Sequence, residues 1–294
     1  MTKRTLADRL TGGRLSLDLA GKIVDGIAEE FERKPPTIAV IGVSGVGKSS
    51  TINALFKTSL PTSATVRGTN RFTPTKIALD GRKVLKKSVS AALKVYDSVG
   101  LGEDVAEDPR YLARYREHLG KCDCALWVAS ARNRAVALDQ SYMIELKTHL
   151  PNLVVGLNQA DLVEPMDWRP RFNLPSEAQE RHMAEIVADR RARYARVLER
   201  EEAVVPVVSY SAKRCYNLSA LFLACLNAAP ESRRWMFQII KGFSAKDWLD
   251  LAEGASEEER AALARQFSTP EEGPSLWSLL ASRMGLSAST ANSP

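Results

Sequence analysis

Apolar positions come in two patterns: a four-residue rhythm near the start of the chain and short unbroken blocks through its middle. Over residues 15–34, Leu19, Ile23, Ile27 and Phe31 recur every four residues, flanked by Ala20, Val24 and Ala28. That is the period of an amphipathic helix with one face for a core. Pro35-Pro36 ends it. Residues 37–41 are apolar and β-branched, as a buried parallel strand should be, and a helical pattern follows through Phe56. Residues 57–74 hold Thr58, Thr62, Thr65, Thr69 and Thr73 with Gly68 and no apolar period, which reads as a long loop. Asp80-Gly81, between 77–79 and Val84-Leu85, reads as a hairpin turn. Further strands are predicted over 92–96, 124–129, 153–157 and 204–208, and helices over 140–150, 177–202 and 218–226. Strands alternating with helices predict an α/β fold with a mainly parallel, doubly wound sheet. Such sheets bind ligands in the loops at the carboxyl ends of their strands.

Beyond residue 230 the pattern breaks into short helical segments. These are 231–241, with Trp235, Phe237, Ile239 and Ile240, then 245–252, and 257–267, which Ser256 and Glu259 open as a capping box. The expected divisions are an N-terminal amphipathic segment (1–35), a nucleotide-binding domain (36–230), a helical appendage (231–286) and a disordered tail (287–294). With 294 residues and 45% apolar content, the chain can bury a full α/β core. No apolar run approaches 18 residues, so no transmembrane segment is expected. The N-terminus has no long apolar stretch of the secretory kind. Four scattered cysteines fit a reduced, cytoplasmic protein. Cys122-Asp123-Cys124 has no second Cys/His pair at ligand spacing, so both read as ordinary cysteines. The net charge of +6 leaves nucleic acid and peripheral membrane contact open without selecting either. The basic run Arg190–Arg196 is interleaved with Glu185, Asp189 and Glu199 and reads as a solvated helix face.

The sharpest chemical signal is Gly42-Val43-Ser44-Gly45-Val46-Gly47-Lys48-Ser49, the pattern G-x-x-x-x-G-K-S between a predicted strand and helix. Its glycines allow torsions that a Cβ forbids. The loop amides, including that of Ser50, then converge on an anion at a helix N-terminus. Lys48 can reach the β- and γ-phosphates, and Ser49 can ligate magnesium. Asp97-Ser98-Val99-Gly100 closes the strand over 92–96. A carboxylate there can hold magnesium through water, and the Gly100 amide can sense the γ-phosphate. Two more polar motifs also end strands: Asn158-Gln159-Ala160-Asp161 and Ser211-Ala212-Lys213.

Taken together, the four motifs resemble those of a small GTPase domain of the translation-factor-related class, over residues 36–230. The wider run resembles the Era-like branch, and within it the YfjP-like bacterial GTPases. The phosphate loop also resembles those of septin-like and immunity-related GTPases. The resemblance implies a P-loop nucleotidase G domain that takes GTP or GDP with Mg2+. Asp161 would accept both donors on one edge of guanine, N1–H and the 2-amino group. Asn158 would brace the loop, the stem of Gln159 would cover the base in place of the usual lysine, and the Ala212 amide would donate to O6. Ser211 and Lys213 complete that loop. Thr69 corresponds best to the switch threonine that ligates magnesium in the GTP state, with Thr73 and Thr75 as rivals. Lys48 and Thr69 would be the catalytic groups, and Ser49, Thr69 and Asp97 the metal ligands.

Departures from the pattern matter as well. Leu101 stands where Ras-like proteins carry a water-orienting glutamine, and an apolar side chain cannot do that work. Gly45 stands where several relatives carry an asparagine that supports a potassium ion. Slow hydrolysis is therefore expected, with activation by a second copy or an effector. The alternatives are a nucleotide-gated assembly protein with little turnover, or a ribosome- or RNA-associated factor. No GXXG loop of an RNA-binding KH domain follows residue 230. Asp139 is expected in a salt bridge or a helix cap. Residues 164–176, with Pro165, Trp168, Pro170, Phe172 and Pro175, read as a rigid loop beside the guanine motif.

Overall fold

The computed structural model describes residues 26, 29–56, 58, 60, 73–78, 92–97, 100–102, 104, 106–150, 152–169 and 173–237. Their strands are β1 (Thr37–Ile41), β2 (Thr73–Ala78), β3 (Ala92–Asp97), β4 (Cys124–Ser130), β5 (Leu153–Asn158) and β6 (Val207–Ser209). The helices are α1 (Lys48–Phe56), α2 (Asp108–Leu119), α3 (Ala137–Leu146), α4 (Glu177–Leu198) and α5 (Leu218–Ala228). The strands form one sheet in the order β2-β3-β1-β4-β5-β6. All neighbours are parallel except β2 and β3. This is the expected P-loop G-domain architecture.

Both faces of the sheet are covered, which is why its parallel strands are apolar at nearly every position. The two-residue period sorts each strand. Ile38 and Val40 of β1 and Leu126 and Val128 of β4 join α1, α5 and Phe31 on one face. Ala39, Ile41, Ala125 and Trp127 join α2, α3 and α4 on the other. Residues 29–33 are helical, and Phe31, 1% exposed, meets Trp235 edge-on at 5.8 Å. The end of the predicted N-terminal helix therefore docks on the core, and residues 231–237 dock beside it. Residues 1–25, the remainder of the appendage and the tail lie outside the described residues. Among the described residues no helix is long and apolar enough to cross a membrane.

Several predicted boundaries move, each for a local reason. Pro74, expected in a loop, lies in β2 opposite Tyr96. An edge strand tolerates a proline because its missing N–H can face away from the ladder. β2 pairs directly with β3, from Thr73↔Asp97 to Ala78↔Ala92. The predicted Asp80-Gly81 turn lies outside the described residues. β6 starts at Val207, not Val204: Pro206 has no N–H to pair, and Val204 sits in a 3-10 turn, 59% exposed. Helix α3 spans Ala137–Leu146, and Lys147–His149 continues it as a 3-10 turn. Helix α4 stops at Leu198 because Glu199 turns left-handed, at φ 55°. Helix α2 has no counterpart in the sequence reading. It is very polar, and only Tyr111, Leu112, Tyr115 and Leu119 give it an inward face.

Candidate nucleotide-binding site

All four motifs lie where parallel strands end. The phosphate loop follows β1, whose neighbours β3 and β4 are reached in opposite directions along the sheet. That switch in strand order leaves a crevice for a ligand. Lys48 opens α1 and is only 7% exposed; its Nζ donates to the Val43 carbonyl at 2.8 Å. The loop's own carbonyl thus folds the ammonium back over the loop. Gly47 has φ +90°, and a Cβ there would lie 2.5 Å from Asn158 Nδ2. That close approach lets Asn158 reach over the loop. Ser44 and Gly45 form its exposed tip, with Val46 buried beneath. The loop carries an ammonium, amides and the hydroxyls of Ser44, Ser49 and Ser50, with no carboxylate, a donor set that suits a polyphosphate.

Ser49 lies in the first turn of α1, and Asp97 ends β3 in register with Val40. Serine and aspartate are residue types that offer the hard oxygen donors magnesium takes. Among the described residues no three His, Cys, Asp or Glu side chains gather into a protein-only metal site. Burial pushes the Cys122 thiol up to about 12, so it stays neutral.

The base side is built from β5, β6 and their loops. Asn158, 4% exposed, donates from Nδ2 to the Val46 carbonyl at 2.9 Å. Its Oδ1 accepts from the Ala212 amide at 3.0 Å. One side chain therefore ties the phosphate loop to the Ser211–Lys213 loop, as expected of a brace. That side chain points between the two loops, where the Ala212 amide meets it. Asp161 Oδ1 accepts from Ser211 Oγ at 2.6 Å, and Asp161 Oδ2 lies 4.0 Å from Arg214 Nε. This orients the carboxylate and leaves it further acceptor capacity for a base. Gln159 adopts φ 66°, and its Oε1 accepts from Ser130 Oγ at 2.7 Å. Lys213 is exposed.

The proline-rich loop closes against this site. Trp168 meets Tyr216 edge-on at 5.0 Å, and the Arg214 guanidinium lies 5.9 Å from its ring centre. Asn173 links the two loops, accepting from Trp168 Nε1 and donating to the Arg214 carbonyl. Beneath the site, Thr51 Oγ1 and Tyr210 Oη share a 2.7 Å hydrogen bond that joins α1 to β6's loop. Neither Thr51 nor Tyr210 was singled out from sequence. The only available signal was a polar residue on the buried side of α1.

On the γ-phosphate side, Leu101 pairs with Val43 in a parallel bridge. Ser44 N donates to Leu101 O at 2.9 Å, and Leu101 N to Gly42 O at 3.3 Å. The Leu101 side chain is fully buried, in the cluster that includes Tyr142. Gly100 passes so close that a Cβ would lie 2.5 Å from Ser44 Cα. Thr69, Ser98 and Val99 lie outside the described residues. Asp139 is neither cap nor salt bridge: it lies inside α3 and accepts from Trp127 Nε1 at 2.8 Å. A buried indole N–H needs an acceptor. Burial raises the Asp139 pKa, an effect that Trp127 opposes. Asp108, missed by the sequence reading, accepts from Gly102 N at 3.0 Å and from the Tyr142 hydroxyl. Pro109 in the first turn of α2 was its signal.

Residues 37–159 match the family model described as 50S ribosome-binding GTPase. Two proteins of Escherichia coli K-12, YkfA and YfjP, each named as uncharacterized, are each 30% identical over 132 residues. Each match covers 44% of this chain and 43% of the relative, so the chain spans less than half the length of these curated relatives. Among solved structures, Aquifex aeolicus Era bound to GDP·AlF4− superposes with a TM-score of 0.50 at 18% identity. That superposition covers 67% of this chain and 58% of Era, a likeness of fold. Residues 37–159 are thus similar to a GTPase domain, set in the α/β fold described above.

Proposed function

We propose that this protein binds GTP and hydrolyses it slowly to GDP and phosphate as a molecular switch, completed by a second copy or an effector. The observation that carries this reading is the joint use of Asn158: one side chain holds both the phosphate loop, through Val46, and the base loop, through Ala212. Phosphate binding and base recognition thus share a support, which suits a nucleotide. Lys48 would neutralise β- and γ-phosphate charge as it develops. Ser49 and Asp97 would hold magnesium, which supplies further charge neutralisation at those oxygens. Asp161 would select guanine, with Ser211 orienting its carboxylate. Thr69 is proposed as the switch threonine.

Slow turnover follows from Leu101. Its side chain is buried, and an alkyl group has no atom to orient water. An activating group from a second copy or an effector would supply that role. A homodimer is the simplest source.

Asp161→Asn tests the base assignment. It replaces an acceptor oxygen with a donor amide facing the guanine 2-amino edge. Affinity for GTP should fall about 10- to 100-fold, the value of one charge-assisted hydrogen bond. ATP binding, weak at the outset, should stay unchanged. Equal GTP affinity in variant and parent would remove guanine selection from Asp161. GTP turnover per molecule against protein concentration, with ATP as control, tests the need for a second copy. A specific rate that rises with concentration is expected. A flat rate would transfer activation to a separate effector.

A further inference from the structure

Asp108 and Tyr142 lie outside every nucleotide motif, yet they connect to the phosphate loop through an unbroken set of contacts. Asp108 sits in the first turn of α2 and is 6% exposed; Tyr142 projects from α3 and is 8% exposed. The Tyr142 hydroxyl donates to Asp108 Oδ2, and Asp108 Oδ1 accepts from the Gly102 amide at 3.0 Å. Gly102 follows Leu101, whose carbonyl accepts from Ser44 and whose amide donates to Gly42. Gly100, on the other side of Leu101, lies against Ser44. Two helices therefore grip one end of the segment 100–102, and the phosphate loop grips the other.

We propose that Asp108, steadied by Tyr142, is a positioning residue for the γ-phosphate-sensing segment: it holds Gly100–Gly102 against the phosphate loop so that GTP meets a segment already ordered. The inference rests on the GTPase reading above. Its physical basis is preorganisation, since a segment ordered before binding loses less conformational freedom when ligand arrives. Burial, and then the Asp108 carboxylate, raise the Tyr142 pKa, so the phenol keeps the proton it donates. Asp108 accepts both hydrogen bonds, Oδ1 from the Gly102 amide and Oδ2 from the Tyr142 hydroxyl, so one side chain fixes both groups. GDP has no γ-phosphate to meet Gly100, so the device acts on the difference between the two nucleotides.

The test compares affinity for a non-hydrolysable GTP analogue with affinity for GDP, in the full chain with Mg2+. The proteins are the parent, Asp108→Ala, Asp108→Asn and Tyr142→Phe. In Asp108→Ala the analogue-to-GDP affinity ratio should fall about tenfold, the value of one charge-assisted hydrogen bond. Asp108→Asn keeps an acceptor for Gly102 and should recover part of the loss. Tyr142→Phe keeps the ring and should give a smaller fall in the same direction; it decides the matter if Asp108→Ala does not fold. A purely structural role would lower thermal stability and both affinities together and leave the ratio unchanged, which would overturn the proposal. A ratio that rises would also overturn it. A parent protein that shows no preference for guanine nucleotides would instead defeat the underlying GTPase reading.

Discussion

Replacing Lys48 by methionine is expected to lower GTP turnover about 100- to 1,000-fold, the loss typical of removing one donor aimed at developing charge. Methionine keeps much of the stem and the apolar packing, so the loss isolates the ammonium. Lys48 is buried, and its Nζ already donates to the Val43 carbonyl within the loop. On the proposed function this holds it beside the phosphates, so its loss should fall on chemistry rather than on folding. Phosphate release measured with GTP and with ATP, alongside thermal melting, separates chemistry from folding. Turnover within a fewfold of the parent, in a folded Lys48→Met protein, would exclude the loop as the hydrolytic site.

The second large effect should appear at the opposite end of the sheet, in stability. Arg233 Nε and Nη2 donate to the two carboxylate oxygens of Asp123 at 2.9 and 3.1 Å, with side chains 6% and 9% exposed. Nη2 also donates to the carbonyls of Lys34 and Pro35, and Asp123 Oδ2 accepts from the Thr37 amide. One guanidinium therefore joins the chain entering β1, the residue before β4 and the helical stretch 231–237. Arg233→Met would strand the Asp123 carboxylate in the interior and should cost about 3–5 kcal/mol. For a folded unit of this size that corresponds to a melting temperature lower by roughly 6–20 °C. Pairing it with Asp123→Leu should restore a substantial part, because no unpaired charge then remains. Nucleotide affinity of the folded variant should be unchanged, since the pair lies below the start of β1 and the site follows its end. A variant as stable as the parent would show that this junction is already solvated.

These two expectations differ in where they could be read. Lys48 was legible in the chain itself. The phosphate loop is local: glycines, lysine and serine act within one turn between a strand and a helix. The motifs at 158–161 and 211–213 were legible for the same reason, each being a short run ending a strand. The unbroken apolar runs of β1 and β4 also announced a sheet covered on both faces. Helix α2 was missed because its polar composition hides a narrow inward face, and β6 was misplaced because Pro206 delays pairing.

The pairings that tie separate elements together mostly join residues far apart in sequence: Asn158 with Val46 and Ala212 and Thr51 with Tyr210 around the candidate site, Asp108 with Tyr142 behind it, and Arg233 with Asp123 at the opposite end of the sheet. A residue's type does not reveal which distant backbone group or side chain it will meet. Asp139 shows this well: as an acid in a helix it suggested a cap or an ion pair, and burial beside Trp127 made it an indole acceptor instead. The sequence by itself determined an α/β core with a phosphate-loop pattern and polar motifs at its strand ends, because those depend on local torsions and strand periodicity. Only the tertiary structure decided how the phosphate and base loops are held to each other, and that Leu101 turns into the core, because those depend on packing between elements far apart in the chain.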